Sequence, residues 1–260
     1  MRHKARYFTF SDEGISPRKL QLISESIIST GLDIRCNADV RLEAGFKGDI
    51  FRSAYEAGFR VLYFGLESGS DRVLDHMSKG INTDTAKEVL RYSSDAGIWN
   101  HAFLFFGFPS ETEREAYETA EFILSNKDII HSTGHTCFLL TRMSKVMKEP
   151  EKYGLTEILP DDSSVLGLWS SYNVERGLTP EQAQSISDGF SENVKDCYSD
   201  WRVWSRILRE HLLLYVSHYD TRDLTFLLDS QDEICDLSQD EGVCLSDNSV
   251  VRLKEGLLLG

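Results

Sequence analysis

The sequence is poor in cysteine, and its cysteines have none of the spacings that mark a metal or redox motif. The 260 residues include only five, namely Cys36, Cys137, Cys197, Cys235 and Cys244. An odd number at such wide intervals, after a start that leads into a strand-like run and not into a signal peptide, argues against a disulfide scaffold. We therefore expect a protein of the reducing cytoplasm.

Long apolar runs and positive charge are also scarce. No apolar stretch approaches the roughly 20 residues that a membrane-spanning helix needs. The 42 acidic residues outnumber the 28 basic ones, which gives a formal net charge of −14. Such a surface repels phosphate backbones, and no basic patch offsets it. We therefore expect neither nucleic acid nor a membrane as a partner. The substrate is left as a small molecule or an unknown.

What the sequence does contain is an alternation of short apolar runs and helical patterns, which is typical of βα units around a parallel sheet. The apolar runs predict strands at Tyr7–Phe10, Asp33–Ala38, Arg60–Gly65, His101–Phe106 and Thr136–Leu140. Helices are expected between them, and glycines such as Gly31 and Gly58 mark their ends. Ser110 and Glu113 have the spacing of a capping box for a helix that follows the fourth strand. The pattern predicts an α/β fold.

The pattern changes after about residue 145. We predict a partial barrel over 1–145, a polar connection over 146–177, a mainly helical extension over 178–223 and an acidic tail over 224–260, with two short strands, to which we assign no role. In the extension, Trp201 and Trp204 are three positions apart and would share one helical face, where packing is the expected role.

Polar residues follow successive predicted strands. They are Ser11 to Glu13 after the first strand, Asn37, Asp39 and Arg41 at the second, Glu67 to Ser70 after the third, and Gly107 to Thr112 after the fourth. The carboxyl ends of parallel strands meet at one mouth of a βα barrel, where ligand-binding groups gather. Each residue alone also fits a helix cap or a turn. Four such groups in register favour a binding site for a ligand with amine, carboxylate and hydroxyl groups.

Other chemistries find less support. His131 and His135 are four positions apart, but Gly134 intervenes and a strand follows, so a zinc hydrolase motif is not formed. No serine lies in a Gly-x-Ser-x-Gly elbow. A cofactor-independent barrel lyase or isomerase remains an alternative, with Glu67 or Asp12 as its base.

Taken together, these motifs resemble the radical S-adenosylmethionine (radical SAM) superfamily, and in particular the branch that often carries a cobalamin-binding domain upstream. The resemblance covers roughly residues 5–145. It is carried by the run Tyr63–Ser70 with Val73, Leu74, Met77, Lys79 and Gly80 after it, by Ala57–Phe59, by Gly107–Thr112, by Phe8–Glu13 and by Arg41.

This resemblance implies a partial (βα) barrel that binds S-adenosylmethionine and a [4Fe–4S] cluster, generates a 5′-deoxyadenosyl radical, and in this branch often depends on cobalamin. Carried over by position, Asp12 and Glu13 would contact the methionine amino group and Arg41 the methionine carboxylate. Glu67 and Ser68 would hold the ribose hydroxyls. Gly107 and Phe108 would lie against the adenine.

The departure from the family pattern is the absence of a CxxxCxxC loop, whose three thiolates hold the cluster. The chain therefore reads as an N-terminally truncated radical SAM enzyme that lacks its first strand and is inactive alone. The alternative is a natural cluster-less relative that acts as a non-catalytic S-adenosylmethionine-binding or partner subunit. No catalytic residue and no metal ligand is assigned.

Overall fold

The computed structural model describes residues 5–160 and 168–228. The acidic tail predicted over 224–260 therefore lies outside the described residues from position 229 onward, and its start forms a 3-10 turn at Thr225–Leu227. The first half forms one sheet of five parallel strands in sequential order, β1 to β5. These strands are β1 (Tyr7–Ile15), β2 (Arg35–Arg41), β3 (Phe59–Glu67), β4 (Trp99–Phe106) and β5 (Ser132–Cys137). The α/β fold that the alternation predicted is confirmed.

Helices connect the strands and cover one face of the sheet. They are α1 (Pro17–Thr30), α2 (Gly48–Glu56), α3 (Asp71–His76), α4 (Thr83–Asp95) and α5 (Glu113–Ser125). Ser16 caps α1 with its side chain, and Pro17 follows at the first helical position. The capping box of α5 was misplaced in the sequence reading, because Thr112 and Glu115 form it, and not Ser110 and Glu113.

The connection predicted over 146–177 contains a second sheet. Strand β6 (Leu140–Thr141) leads to α6 (Lys145–Lys148), a 3-10 turn at Pro150–Tyr153, and the strands β7 (Leu155–Pro160) and β8 (Trp169–Val174). The three strands pair antiparallel in the order β6-β8-β7. A smaller apolar core, which includes Phe108 and Tyr153, joins this sheet to the loops at the carboxyl ends of the parallel strands.

Three helices form the extension, namely α7 (Pro180–Cys197), α8 (Trp201–Trp204) and α9 (Arg209–Tyr219). Helix α7 packs beside α5 against β4 and β5, whereas α9 lies against β1, β2 and β3. None of the helices in the described ranges is long and apolar enough to cross a membrane.

The two faces of the parallel sheet carry different partners. On β3, Phe64 packs edge-on against Phe51 of α2, while its neighbour Tyr63 lies under the guanidinium of Arg209 in α9. Adjacent residues of a strand point to opposite faces. Helix α9 therefore occupies the inner face, opposite to the helices that connect the strands.

Hydrogen bonds join the carboxyl end of α9 to the end of the sheet where the strands begin. The hydroxyl of Tyr55, next to the end of α2, donates to Asp220 at 3.2 Å, and Arg222 donates to the carbonyl oxygen of Ser94 at 2.7 Å. Helix α9 thus runs along the inner face from the middle of the strands to their amino ends, with Arg209 at its upper end.

Glycine is required where the chain turns from α2 into β3. Gly58 has φ +106°, and a Cβ atom there would lie 2.0 Å from the carbonyl oxygen of Ile34. Gly31 at the end of α1 has φ +63°, but a Cβ atom there would meet nothing within 4 Å. The two positions share the left-handed backbone, and only Gly58 also faces a steric conflict.

We predict that Gly58→Ala lowers the free energy of unfolding by more than about 3 kcal/mol, because backbone strain is added to a collision with main-chain atoms. Gly31→Ala is the matched control and should cost about 1 kcal/mol, which is the strain alone. Urea denaturation of both variants measures the difference. Equal losses for the two variants would contradict the steric explanation.

Candidate functional site

The carboxyl ends of the strands are aligned by the register of the sheet. Arg41 pairs with Gly65, Gly65 pairs with Phe103, and Phe103 pairs with Gly134, so that four neighbouring strands share one row. Paired residues of parallel strands point to the same face. This row runs along the inner face. We use the name rim for the residues of this row and those that follow it toward the carboxyl ends of the strands.

Arg41 of β2 lies on this rim, whereas Asp12 lies on the neighbouring strand β1 just before the level of the row. Arg41 ends β2, its side chain is exposed, and its Cβ is 3.6 Å from where a Cβ would stand on Gly14 of β1. Strand β1 is longer than predicted, and its register with β2 shifts between Phe10 and Ile15, which places Asp12 within the strand. The Asp12 carboxylate accepts a hydrogen bond of 2.7 Å from Lys19 of α1.

Glu67 is folded over the same row. It ends β3 with φ +70°, a left-handed conformation that is rare for a residue with a side chain. A Cβ atom on Gly65 would be only 2.7 Å from Oε1 of Glu67, so this oxygen occupies the space that a side chain at position 65 would need. Lys79, in the loop after α3, donates to the same Oε1 at 2.7 Å, and both side chains are largely buried. The carboxylate is thereby fixed over the inner face beside Arg41.

The turn after β4 completes the rim. Gly107 has φ +79°, and a Cβ there would approach Ala183 of α7 to 2.5 Å. Its N–H donates to Oε2 of Glu111 at 2.5 Å, and its carbonyl oxygen accepts from the hydroxyl of Tyr172 in β8 at 3.4 Å. The turn is therefore held from inside by Glu111 and from the second sheet by Tyr172.

The remaining predicted site residues take other positions. The hydroxyl of Ser68 is buried and pairs with Thr119 of α5 at 3.1 Å, on the helix side of the sheet. The ring of Phe108 is also buried and packs against Phe138 and Tyr153 in the core of the second sheet. Strand β1 includes Glu13, whose side chain is outside the described part. The structure thus brings Arg41, Glu67 and the backbone of Gly107 to the rim, but not the side chains of Asp12, Ser68 and Phe108.

Glu111 lies in the segment Gly107–Thr112 that was predicted for the rim, but the sequence did not single it out as a site residue. It is fully buried, and one of its oxygens, Oε1, has no hydrogen-bond partner among the described residues. Burial raises the pKa of its carboxyl to about 7, although the N–H groups of Gly107 and Phe108 oppose the shift. No sequence pattern distinguishes this buried carboxyl from an exposed one in a loop.

An ion pair fixes the outer side of the same loop. Arg72 of α3 bonds both carboxylate oxygens of Glu115 and donates at 2.7 Å to the carbonyl oxygen of Ser110, which has φ +71°. The hydrogen bond to Arg72 lowers the pKa of Glu115 to about 2. Gly177, just before α7, crosses this loop so closely that a Cβ would lie 2.7 Å from the Cα of Ser110. The loop from Gly107 to Thr112 is therefore held on all sides.

A second polar group lies lower on the inner face. Arg209 of α9 donates from Nη2 to both oxygens of Asp39 at 2.9 Å, and its guanidinium lies 3.8 Å from the centre of the Tyr63 ring. Burial is the main cause that raises the pKa of Tyr63 to about 12. Sequence reasoning missed Arg209, because it is 170 positions from Asp39 and no local pattern connects them.

The metal-binding alternatives gain no support within the described ranges. No group of three potential metal ligands is formed there. The Nδ1 of His131 accepts a hydrogen bond from the N–H of Asn100, whereas His135 bonds Ser191 of α7. Cys36 is buried, and burial raises the pKa of its thiol to about 12, which disfavours the thiolate that a cluster needs. The described cysteines therefore do not fit a [4Fe–4S] cluster.

Comparison with known proteins relates part of this chain to a protein family. Residues 17–123 match the Radical SAM superfamily. An uncharacterized methyltransferase of Pyrococcus horikoshii is 32% identical over 100 residues, which cover 38% of this chain and 22% of the relative. The bacteriochlorophyllide d C-12(1)-methyltransferase of Chlorobaculum tepidum is 26% identical over 123 residues, or 46% of this chain and 26% of the relative. The matched segment is thus about a quarter of each relative.

Solved structures share the fold. The cobalamin-dependent S-adenosylmethionine radical enzyme OxsB, with aqua-cobalamin and S-adenosylmethionine bound, superposes on 93% of this chain and 43% of its own, with a TM-score of 0.53 at 13% identity. Coproporphyrinogen III oxidase (HemN) of Escherichia coli, a radical SAM enzyme, superposes on 70% of this chain and 38% of its own, with a TM-score of 0.50 at 10% identity.

The partial-barrel prediction is confirmed by these two folds. The family uses S-adenosylmethionine and a [4Fe–4S] cluster, and its members include cobalamin-dependent enzymes. Three observations are consistent with one another. They are the parallel sheet with its rim, the sequence match over residues 17–123 and the fold shared with solved structures. Residues 17–123 of this chain match the Radical SAM superfamily, and the chain shares the fold of solved radical SAM enzymes.

Proposed function

We propose that the rim binds S-adenosylmethionine and that the chain contributes this site to a radical SAM enzyme. The observation that carries the proposal is the single row on which Arg41, the Glu67 carboxylate over Gly65, and Phe103 lie side by side. S-adenosylmethionine combines an amine, a carboxylate, ribose hydroxyls and a flat base. The rim and the neighbouring end of β1 offer groups for each of these parts within one edge of the sheet.

The charges at the ends of β1 and β2 suit the carboxylate and the amino group of the methionine part of the ligand. Arg41 is exposed and carries the positive charge that a methionine carboxylate would pair with, and such charge-assisted hydrogen bonds are the strong ones. Asp12, on the neighbouring strand, offers a carboxylate to the amino group. The methionine end of the ligand would therefore lie across the ends of β1 and β2.

The ribose and the base would lie over β3 and β4. Lys79 fixes one oxygen of Glu67, so the carboxylate is held in place before the ribose hydroxyls arrive. At Gly107 the absence of a side chain lets α7 pack directly against the turn, which supports the region where the base would lie. Ser68 and Phe108 would support this region from behind, because their side chains are packed away from the rim.

When bound with its reduced cluster, S-adenosylmethionine supplies an adenosyl radical or a methyl group to such enzymes. The described cysteines do not hold that cluster, so the residues of this chain bind and orient the ligand in the proposal. We propose methyl transfer as the reaction class, because two relatives bear the name of methyltransferases. The substrate would be a small molecule.

We predict that the purified chain binds S-adenosylmethionine and that Arg41→Ala and Glu67→Gln each weaken the binding about tenfold or more, since each removes a charge-assisted hydrogen bond. Isothermal titration calorimetry measures the dissociation constants. Arg91→Ala is the matched control, because Arg91 pairs with Asp128 on the outer surface and should leave binding unchanged.

Two results would count against this proposal. Folded protein without affinity for S-adenosylmethionine would favour the cofactor-independent lyase or isomerase, in which Glu67 acts as a base. Equal effects of Arg41→Ala and Arg91→Ala would mean that Arg41 does not meet the carboxylate.

The buried carboxyl of Glu111 predicts a pH dependence of stability. Its pKa is about 7 in the folded chain and near its ordinary value of 4.5 when unfolded, so between these values the folded state binds the extra proton. The free energy of unfolding should fall as the pH rises from about 4.5 to about 7, by roughly 3 kcal/mol, and then level off.

Glu111→Gln, which keeps the shape without the charge, should lack this decline. Urea denaturation at a series of pH values compares it with Glu121→Gln, a control that removes an exposed carboxylate from α5. A decline that persists in Glu111→Gln would show that another group is responsible.

A further inference from the structure

A cavity lies on the inner face below the rim, between the strands β3 to β5 and the helices α8 and α9. Its volume is about 430 Å³. It is lined by Tyr63, His101 and Phe103 from the sheet, by Gly134 from β5, and by Trp201 and Arg209 from the helices, among others. Ligand sites of small molecules fall within about 300–1,000 Å³, so the cavity has the size of one.

The walls of this cavity are aromatic on the sheet side. The ring centres of Tyr63 and Phe103 are 5.9 Å apart, and His101 lies 5.0 Å from Tyr63 and 4.7 Å from Phe103. Trp201 and Trp204 face them from α8. An aromatic wall of this kind can bind the ring of a ligand, either face to face or edge to face. The shape and chemistry of the walls therefore suit a planar ring.

The cavity carries no unpaired charge. Arg209 is the single charged side chain among the described residues that line it, and Asp39 neutralises it through two hydrogen bonds of 2.9 Å. His101 is buried, and burial together with the nearby Arg209 lowers its pKa to about 3, so the imidazole is neutral. A charged ligand would lose its hydration without gaining a counter-ion, which costs more than burying a neutral one.

One polar group on the wall of the cavity lacks a partner. The Nε of Arg209 is buried and has no hydrogen-bond partner among the described residues. An unpaired buried donor is destabilising, and this N–H can donate to an acceptor that enters the cavity. Arg209 is therefore the side chain that would select for a ring that bears a hydrogen-bond acceptor.

We propose that this cavity binds a flat, uncharged aromatic ring that carries a carbonyl-type acceptor. Phe103 belongs both to the cavity wall and to the row of Arg41 and Gly65, so a ring bound there would lie directly below the rim. If the rim binds S-adenosylmethionine, this ring is part of the substrate, and that last step rests on the proposed function. The binding of the ring itself does not.

The test uses benzamide as the probe and three comparison compounds. Benzoate is negatively charged, benzylamine is positively charged and also lacks the carbonyl acceptor, and cyclohexanecarboxamide lacks the aromatic ring. Dissociation constants are measured by ligand-observed NMR on the whole chain. We expect benzamide to bind about fivefold more tightly than cyclohexanecarboxamide and more than tenfold more tightly than either ion.

Variants locate the probe. Arg209→Lys, which keeps the positive charge but removes the Nε donor, should weaken benzamide binding about fivefold, whereas Arg206→Lys, at an exposed position outside the cavity wall, should leave it unchanged. S-adenosylmethionine should not displace benzamide, and Arg41→Ala should not affect it.

Several outcomes would overturn the proposal. They are the absence of benzamide binding in folded protein, a preference for either ion, equal binding of the non-aromatic amide, an equal effect of Arg209→Lys and Arg206→Lys, or displacement of benzamide by S-adenosylmethionine. Benzamide binding without S-adenosylmethionine binding would leave the cavity assigned and reject only the function proposed for the rim.

Discussion

The register of the parallel strands is the constraint on which the rest of the site depends. Hydrogen bonding between neighbouring strands brings Arg41, Gly65, Phe103 and Gly134 into one row, although they are far apart in the sequence. A shift of one residue in any strand would turn its side chains to the helix face. The rim and the cavity below it both exist because this register is kept, and Gly58 helps to keep it by letting α2 turn tightly into β3.

Helix α9 gives the sheet a second, inner layer. It closes the lower part of the inner face with Leu212, Leu213 and Val216, and its upper end presents Arg209 to the cavity. The helical extension therefore belongs to the candidate site, because it supplies part of the wall that a ligand would touch. The second sheet acts at the other end of the strands, where Tyr172 contacts the turn at Gly107.

The sequence predicted the local elements well and the long-range contacts poorly. The strands and helices up to β4 follow from periodicity, caps and glycine stops, because these signals act within a few residues. Strand β5 was predicted about four residues late, since Ser132, Thr133 and Gly134 have no strand-like character of their own and are buried through tertiary packing. Polar residues after the strands pointed to the rim, but nothing local showed that Ser68 would turn toward Thr119. Arg209 and Lys79 were missed as partners of Asp39 and Glu67 for the same reason.

The crossing at Gly177 has a consequence for motion. The link between the second sheet and α7 lies directly on the loop from Gly107 to Thr112, while Arg72 holds the same loop from α3. This loop cannot swing outward alone, because the chain that lies on it would have to move with it. Opening of the rim would then be a concerted displacement of the second sheet and the start of α7, a collective motion of the microsecond-to-millisecond class and not the rapid fluctuation of a single loop.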